Sequence, residues 1–528
     1  MKKIIQQWLI GLCGILIPAG AGSGLLTACS LDEHPKDQVE EELIYTDALS
    51  LYLNAVATLY SYIGGNTDGQ GLQGTCRGVY DLQTFCTDEA MLPIRGVDWY
   101  DGGLWEQLHL HTWNSGHGVL KNAWLYLYKV ITLCNRSMEK LHQYNHLLTN
   151  SQYEGLRAEV RALRAIYYWY LIDLFGPVPL VTSTETSMQQ VKQSSRAEVF
   201  DFIVSELQQT LPLLSYENSV ERGDYYGRVT KSVALFVLAK LMLNAEVYTG
   251  EPQWQEAIDY CNDIEELGYR LEEDYISNFI VYNEHSAENI WVIPMDKDLY
   301  TNQQQNMFRS YHYRHAAAYG FTGENGSCAT LAALRIFGYG TDDEDLRFRL
   351  NFWADTVTDI EGNYVLDRSG VPLVYYPTEV RLDLSGSKYV ETAGARMKKY
   401  AVDLFAPKDG KLMDNDIVLF RFADVLLMRA EAKVRLGLSG QEDFDLVRQR
   451  SFMDPRPCTL ENLLDERMME LCWEGWRRQD LVRFEKFQTV TGDGAMPPGY
   501  TEDSHTSIYP IPADVIAVNQ NLKQNPGY

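Results

Sequence analysis

The chain has 528 residues and a formal net charge of −26, with 72 acidic residues against 46 basic ones. A surface of that sign repels nucleic acid and anionic lipid, which excludes a role in binding either polyanion. A hydrophobic content of 45% is ordinary for a folded protein, and the length admits one large domain or two moderate ones.

The first predicted element is a secretory leader. Lys2 and Lys3 precede an apolar stretch from Trp8 to Pro18, which is too short for a spanning helix of roughly 20 apolar residues. The leader ends in Leu26-Thr27-Ala28-Cys29, which resembles a bacterial lipobox, the signal for cleavage before a cysteine whose thiol then carries lipid. Residues 1–28 are therefore expected to be removed, Cys29 to be lipidated, and the rest of the chain to lie outside the cytoplasm. Residues 29–44 begin with the polar, acidic stretch Ser30 to Asp37 and read as a flexible tether. No later stretch is long and apolar enough to span a membrane.

Residues 45–528 read as a single, mostly α-helical domain, with a helical scaffold over about 45–268 and 417–484 and a loop-rich region over about 270–415. Within residues 151–175, Leu156, Val160, Leu163, Tyr167, Tyr170, Leu171 and Leu174 recur at helical spacing, and Gly176-Pro177 stops the helix. Further helices are predicted over 196–211, 230–248 and 254–268. Consecutive amphipathic helices with short turns imply helical hairpins, and their spacing looks like that of tetratricopeptide units. The region 270–415 has a strand at Asn289 to Ile293 and a few other short apolar runs among glycine, asparagine and aspartate clusters. So long an irregular stretch must pack on the helices or carry function. Helices resume at 417–436 and 460–484, and the tail is extended at Tyr509-Pro510-Ile511-Pro512.

Seven cysteines lie beyond Cys29, an odd number, and none forms a C-x-x-C pair. Cys76 and Cys86 bracket one loop and admit a disulfide, but small buried hydrophobes are the plainer reading of all seven. His109, His111 and His117 lack the spacing of a zinc site, and there is no EF-hand, phosphate loop, G-x-S-x-G elbow or H-E-x-x-H motif. No metal, cofactor or catalytic residue is thus implied, although a structural calcium in the acidic loops stays open.

The aromatic content, 12% with 34 tyrosines and 11 tryptophans, is the more pointed signal. A sugar ring offers C–H groups on a face and hydroxyls at its rim; an aromatic plane covers the first, and carboxylates or amides accept from the second. The segment Asp98-Trp99-Tyr100-Asp101-Gly102-Gly103 has this composition in a glycine-rich loop, so Trp99, Tyr100, Asp98 and Asp101 are the leading ligand-binding candidates. Tyr300, Asn302 and Tyr311 form a second candidate group after the predicted strand, with Gln303, Phe308 and Tyr313 beside them.

Several motifs then converge on one family. Arg164-Ala165 with Tyr167-Tyr168 and Phe175 to Leu180, the block Phe420-Arg421-Phe422-Ala423-Asp424 through Ala432, and the block from Glu466 to Arg483 resemble signatures of the SusD/RagB-type outer-membrane lipoproteins of Bacteroidetes. So does the ending Ile511-Pro512, Asn519 and Gln524-Asn525-Pro526-Gly527-Tyr528. The resemblance runs in family order from the lipobox to the last residue. It implies a SusD-like fold and a cell-surface lipoprotein, held to the outer membrane by its lipid. Its task would be to bind a glycan or oligosaccharide for a SusC-type TonB-dependent porter. The acidic run behind Cys29 likewise resembles a surface-export signal, and family members carry ligand-stacking aromatics in the loop that matches Trp99 and Tyr100.

Glu466, Glu470 and Glu474 recur every four residues of one predicted helix and would repel unless compensated. Arg467, Arg477, Arg478 and Arg483 are the expected partners, in pairs that fix helix packing. The other reading, a glycosidase carboxylate pair, is disfavoured because motifs shared across a binding family require no chemistry. Capture of a peptide, as in the RagB branch, and a protein-binding scaffold are the remaining alternatives.

Overall fold

A computed structural model describes residues 41–218, 220, 223–406, 409–488 and 504–528; the leader and Cys29 lie outside them. Residues 45–528 form one unit, and the single turn Glu41–Ile44 belongs to the unit before it. The architecture is mostly α-helical with a few short strands, as the sequence predicts.

The scaffold is a succession of helices packed on their neighbours in sequence. Helices α1 (Gly118–Gln143) and α2 (Asn150–Phe175) pack together, and α3 (Arg196–Thr210) packs on α2. Thr149 and Ser195 open α2 and α3 with capping boxes, each accepting from the third backbone N–H while Gln152 or Glu198 reaches back. Gly176, with φ of 69°, ends α2 in a conformation that only glycine adopts without strain. Helix α4 (Lys231–Leu243) is buried on every side from Ser232 onward, the mark of a central helix. Helix α5 (Trp254–Glu266) packs on α4 and also on α6 (Phe422–Arg435), so the long irregular region leaves and re-enters between two neighbouring helices.

The base of that region is closed by a ladder. Strand β1 (Asn289–Ile293) pairs antiparallel with β2 (Ile417–Arg421), with Ile417 opposite Ile293 and Arg421 opposite Asn289. Residues 417–421 are thus a strand and not the first turn of the predicted helix. Their fully buried run, opened by the β-branched Ile417 and Val418, finds its hydrogen-bond partners on β1. The helix predicted over 460–484 is also divided, into α8 (Leu460–Leu471) and α9 (Arg477–Arg483), with α7 (Gln441–Arg450) preceding them. Positive φ at Trp473 (65°) and Gly475 (76°) makes the break.

The break also changes the partners of the carboxylate ladder. Glu474 lies beyond α8, and the three glutamates pair with cations distant in sequence. Arg347 binds Glu466 at 2.6 Å and Glu470 at 2.8 Å, and Arg421 binds Glu288, Glu470 and Glu474 at 2.6–2.7 Å. Arg448, Arg450 and Lys399 complete the cluster, and Asp345 joins it through Arg347 at 2.8 Å. Five cations with buried side chains thus face five buried carboxylates, a balance that a low-dielectric core demands. The expected partners are committed elsewhere: Arg467 to Asp424 and Asp480, Arg477 to Asp88, Arg478 to Asp173 and Arg483 to Glu431.

All seven described cysteines are free thiols, buried except for the half-buried Cys458, so Cys76 and Cys86 are not bridged. Among the described residues no helix is long and apolar enough to cross a membrane, and no cluster of three or more candidate metal ligands occurs. His111 and His117 are occupied by the backbone carbonyls of Cys86 and Leu104.

Candidate functional site

Two contacts bring the leading candidate loop against the irregular region. Ala90 and Met91 pair with Ala329 and Cys328, and Thr330 binds the carbonyls of Asp88 and Glu89. Further along, the buried Arg95 donates to the carbonyls of Gly326, Val390 and Ala393 at 2.9–3.2 Å. The loop from Arg95 to Gly103 is therefore clamped at its root while its tip stays open.

The result is a cleft of about 430 Å³. Trp99 and Tyr313 supply its aromatic surface, Asp68, Asp98, Asp101 and Glu324 its carboxylates, Arg77 and Lys411 its cations, and Gln305 an amide. The Trp99 ring stands edge-on to the buried Trp105, with centroids 6.3 Å apart, and its Nε1 donates to the Glu324 carbonyl at 3.1 Å. The Tyr313 hydroxyl donates to Asp98 at 3.1 Å; burial and that carboxylate push the phenol up to about 12. Arg77 donates to Asp68 at 2.5 Å and to Asp101 at 2.7 Å, and Asp101 also accepts from Trp105 Nε1 at 2.9 Å. Burial strips water from Arg77, but the two carboxylates hold its pKa above the usual value. Burial also raises the Glu324 carboxyl.

Backbone strain concentrates at this cleft. Arg77, Trp99 and Asp101, all lining residues, hold φ of 58°, 62° and 43°, and Asn325 beside Glu324 holds 52°. Each such residue costs on the order of 1–3 kcal/mol and persists only where its surroundings over-determine it, a pattern that clusters at ligand clamps. The arrangement presents a rigid ring surface, a phenol and carboxylates locked in an ionic chain: groups that stack on C–H faces and accept from hydroxyls.

Of the sequence candidates, Trp99, Asp98 and Asp101 meet in this cleft, and Tyr100 stands 53% exposed beside Trp99. Tyr300 and Asn302 line a different cavity, of about 680 Å³. Tyr311 leaves the candidate group. It is fully buried, stacks on His315 at 4.6 Å and accepts from Trp353 Nε1 at 2.5 Å, so its ring is core and not platform. Asp68, Arg77, Gln305, Glu324 and Lys411 were not among the sequence candidates. One signal pointed to the first two, the six glycines between positions 64 and 78, which mark a loop whose backbone passes close to its neighbours. Nothing in the local sequence marks the other three, which arrive through long-range packing.

Comparison with known proteins gives a consistent picture. The family model described as the SusD family matches residues 287–528, and one described as "Starch-binding associating with outer membrane" matches residues 78–243. The starch-binding protein SusD of Bacteroides thetaiotaomicron is 28% identical over 516 residues, covering 87% of each chain. SusD-like protein P25 of Formosa agariphila is 24% identical, covering 77% of this chain and 78% of that one. Among solved structures, surface glycan-binding protein A of B. thetaiotaomicron in complex with laminarihexaose superposes with a TM-score of 0.72 at 20% identity, over 91% of this chain and all of that one. A laminarin-binding SusD-like protein superposes with a TM-score of 0.69 at 22% identity, over 92% of this chain and all of that one. At these identities the structural likenesses concern the fold.

Proposed function

The chain belongs to the SusD/RagB family, and from that premise we propose that it captures a neutral oligosaccharide in the Trp99 cleft and passes it to a TonB-dependent porter of the SusC type. The observation that carries this reading is the convergence of a strained, clamped tryptophan, a phenol and an Arg77-centred carboxylate chain in one open cleft. Four carboxylates against two cations disfavour sulfated or uronic-acid sugars there. Outer-membrane attachment through Cys29 rests on the lipobox and on the family; the relatives named for starch and laminarin supply the first ligands to try.

The role proposed is binding without turnover. Asp68 and Asp101 are tied to Arg77, and Glu466, Glu470 and Glu474 are buried under arginines and a lysine, where no sugar reaches them. Shallow sugar sites bury little area, so dissociation constants of about micromolar to millimolar are expected. Calorimetry of the intact chain with laminarihexaose and maltohexaose tests the reading. Heat that is diminished or lost in Trp99→Ala, in a protein that still folds, supports it; heat unchanged in that variant refutes the site, and no heat with any neutral oligosaccharide refutes the ligand class.

A further inference from the structure

We propose that the cavity of about 680 Å³ between Tyr52, Tyr60, Tyr226, Tyr300 and Asn302 is a second oligosaccharide subsite, distinct from the Trp99 cleft. The inference rests on the glycan reading of that cleft and extends it to ligands of several sugar units.

Four tyrosines line the cavity, two with bonded hydroxyls and two with open ones. The Tyr60 hydroxyl donates to Glu159 and accepts the Val229 N–H at 3.1 Å, and the Tyr226 hydroxyl donates to Asp416. Those rings are held by buried acceptors before any ligand arrives, which lowers the entropy lost on binding. Tyr300, by contrast, is 43% exposed, and its hydroxyl has no hydrogen-bond partner among the described residues; the Tyr52 hydroxyl has none there either, although its ring lies under Arg228. Asn302 donates through its amide nitrogen to the Pro294 carbonyl at 3.2 Å, which leaves its side-chain oxygen to accept. The loop beneath Tyr300 is fixed by Asp296, whose carboxylate accepts the N–H groups of Asp298 and Leu299 at 2.9 and 3.0 Å.

The charges select the same ligand class as the first cleft. Arg228 lies in the wall but is consumed. It binds Glu159 through two nitrogens, at 2.8 and 2.5 Å, donates to the Asp224 carbonyl at 2.7 Å, and covers the rings of Tyr52 and Tyr225 at 4.9 and 4.5 Å. What remains facing the space is Asp224, Asp296, an amide and phenols, a set that accepts from hydroxyls and repels anions.

The two sites are joined by one strap of chain. Asn302 lines the second and Gln305 the first, and three residues of extended chain span at most about 11 Å. The strap is pinned on both sides: Gln303 N–H donates to the Gly65 carbonyl at 2.9 Å, Gln304 N–H to Lys411 at 2.8 Å and Gln305 N–H to Gly74 at 2.6 Å. Gly64 and Gly74 let it lie so close, since a Cβ at Gly64 would fall 2.6 Å from Asn302 and one at Gly74 2.3 Å from the Gln303 carbonyl oxygen. A rigid separation between two weak sites is what raises affinity for a polymer above that for a short fragment.

The test is calorimetry of the intact chain with laminarihexaose and maltohexaose, then with the corresponding polymers, on the unaltered protein, on Tyr300→Ala with Asn302→Ala, and on Trp99→Ala. Two equivalents of one hexasaccharide, reduced to one in either variant, with polymer affinity about tenfold weaker when Tyr300 and Asn302 are lost, establish the second subsite. A single equivalent that Trp99→Ala abolishes and the Tyr300 variant leaves untouched overturns the second subsite while the first stands. A single equivalent lost only in the Tyr300 variant moves the whole activity to this cavity and overturns the first. No heat in any protein removes the glycan reading and the second subsite together. Tyr300 is exposed, so its variant is expected to fold; an unchanged thermal midpoint confirms that a lost equivalent is a lost site.

Discussion

Gly326 is the position at which the geometry of the Trp99 cleft is most directly testable. A Cβ placed there would lie 2.6 Å from Cε2 and Cζ2 of Trp99 and 3.0 Å from its Nε1. Non-bonded carbons settle at about 3.5–4.0 Å, so Gly326→Ala requires a displacement of about 1 Å. The backbone cannot supply it. The Gly326 N–H donates to the Arg309 carbonyl at 2.7 Å, and its own carbonyl accepts from the buried Arg95 and Arg396 at 3.2 and 3.3 Å. The half-buried Trp99 ring must therefore retreat, losing its bond to the Glu324 carbonyl and its edge contact with Trp105. Overpacking of this kind costs about 1–3 kcal/mol, and a neutral hydrogen bond about 1 kcal/mol. The expected stability loss is thus about 2 kcal/mol in denaturant unfolding, with oligosaccharide affinity about tenfold weaker because the stacking surface has moved. The decisive measurement is the cycle of Gly326→Ala, Trp99→Ala and the double variant. If the alanine acts through the ring, the double variant binds no worse than Trp99→Ala alone. Additive losses of affinity, or a Gly326→Ala protein that binds normally, would refute the reasoning.

Two other outcomes follow from the structure and a third from the sequence. Glu470→Gln leaves Arg347, Arg421 and Arg450 short of a buried anion, so unfolding should become about 3–5 kcal/mol easier while the hexasaccharide stoichiometry of the folded fraction stays unchanged. Burial pushes His111 down to about 4 and His315 down to about 3 from an ordinary 6.5, so both stay neutral when folded but take up protons when unfolded. Their contribution is fully present above pH 6.5 and is lost as pH falls toward 3–4, at about 1.4 kcal/mol per pH unit for each group, and His315→Phe should flatten an acid-unfolding profile below pH 6.5. Cys29→Ala should move the protein from the membrane fraction to the soluble fraction, and firm retention by membranes would refute lipid anchoring at that residue.

The helical scaffold was legible because its signals are local. Amphipathic spacing and the glycine stop after Phe175 can each be read within a few residues. Where the reading failed, the deciding partner was far away. The run 417–421 becomes a strand because residues 289–293 lie beside it, and Glu466, Glu470 and Glu474 are neutralised by Arg347, Arg421, Arg448, Arg450 and Lys399 instead of by the arginines of their own segment. The same distinction divides the site. The composition of residues 98–103 points to an exposed loop, but composition cannot separate an aromatic that faces solvent from one that faces the core: Trp99 lines the cleft while Tyr311 is fully buried. Arg77 shows why the rest escaped notice. Its side chain joins Asp68, nine residues before it, to Asp101, twenty-four residues after it, and only the folded loop makes the three one ionic chain. A cleft built in this way is specified by the insertion and the loops it pins rather than by the helices. Relatives sharing the helical motifs are therefore free to differ in the sugar they take, and sequence comparison along the 64–78, 95–104 and 300–326 segments should track ligand choice more closely than comparison along the scaffold.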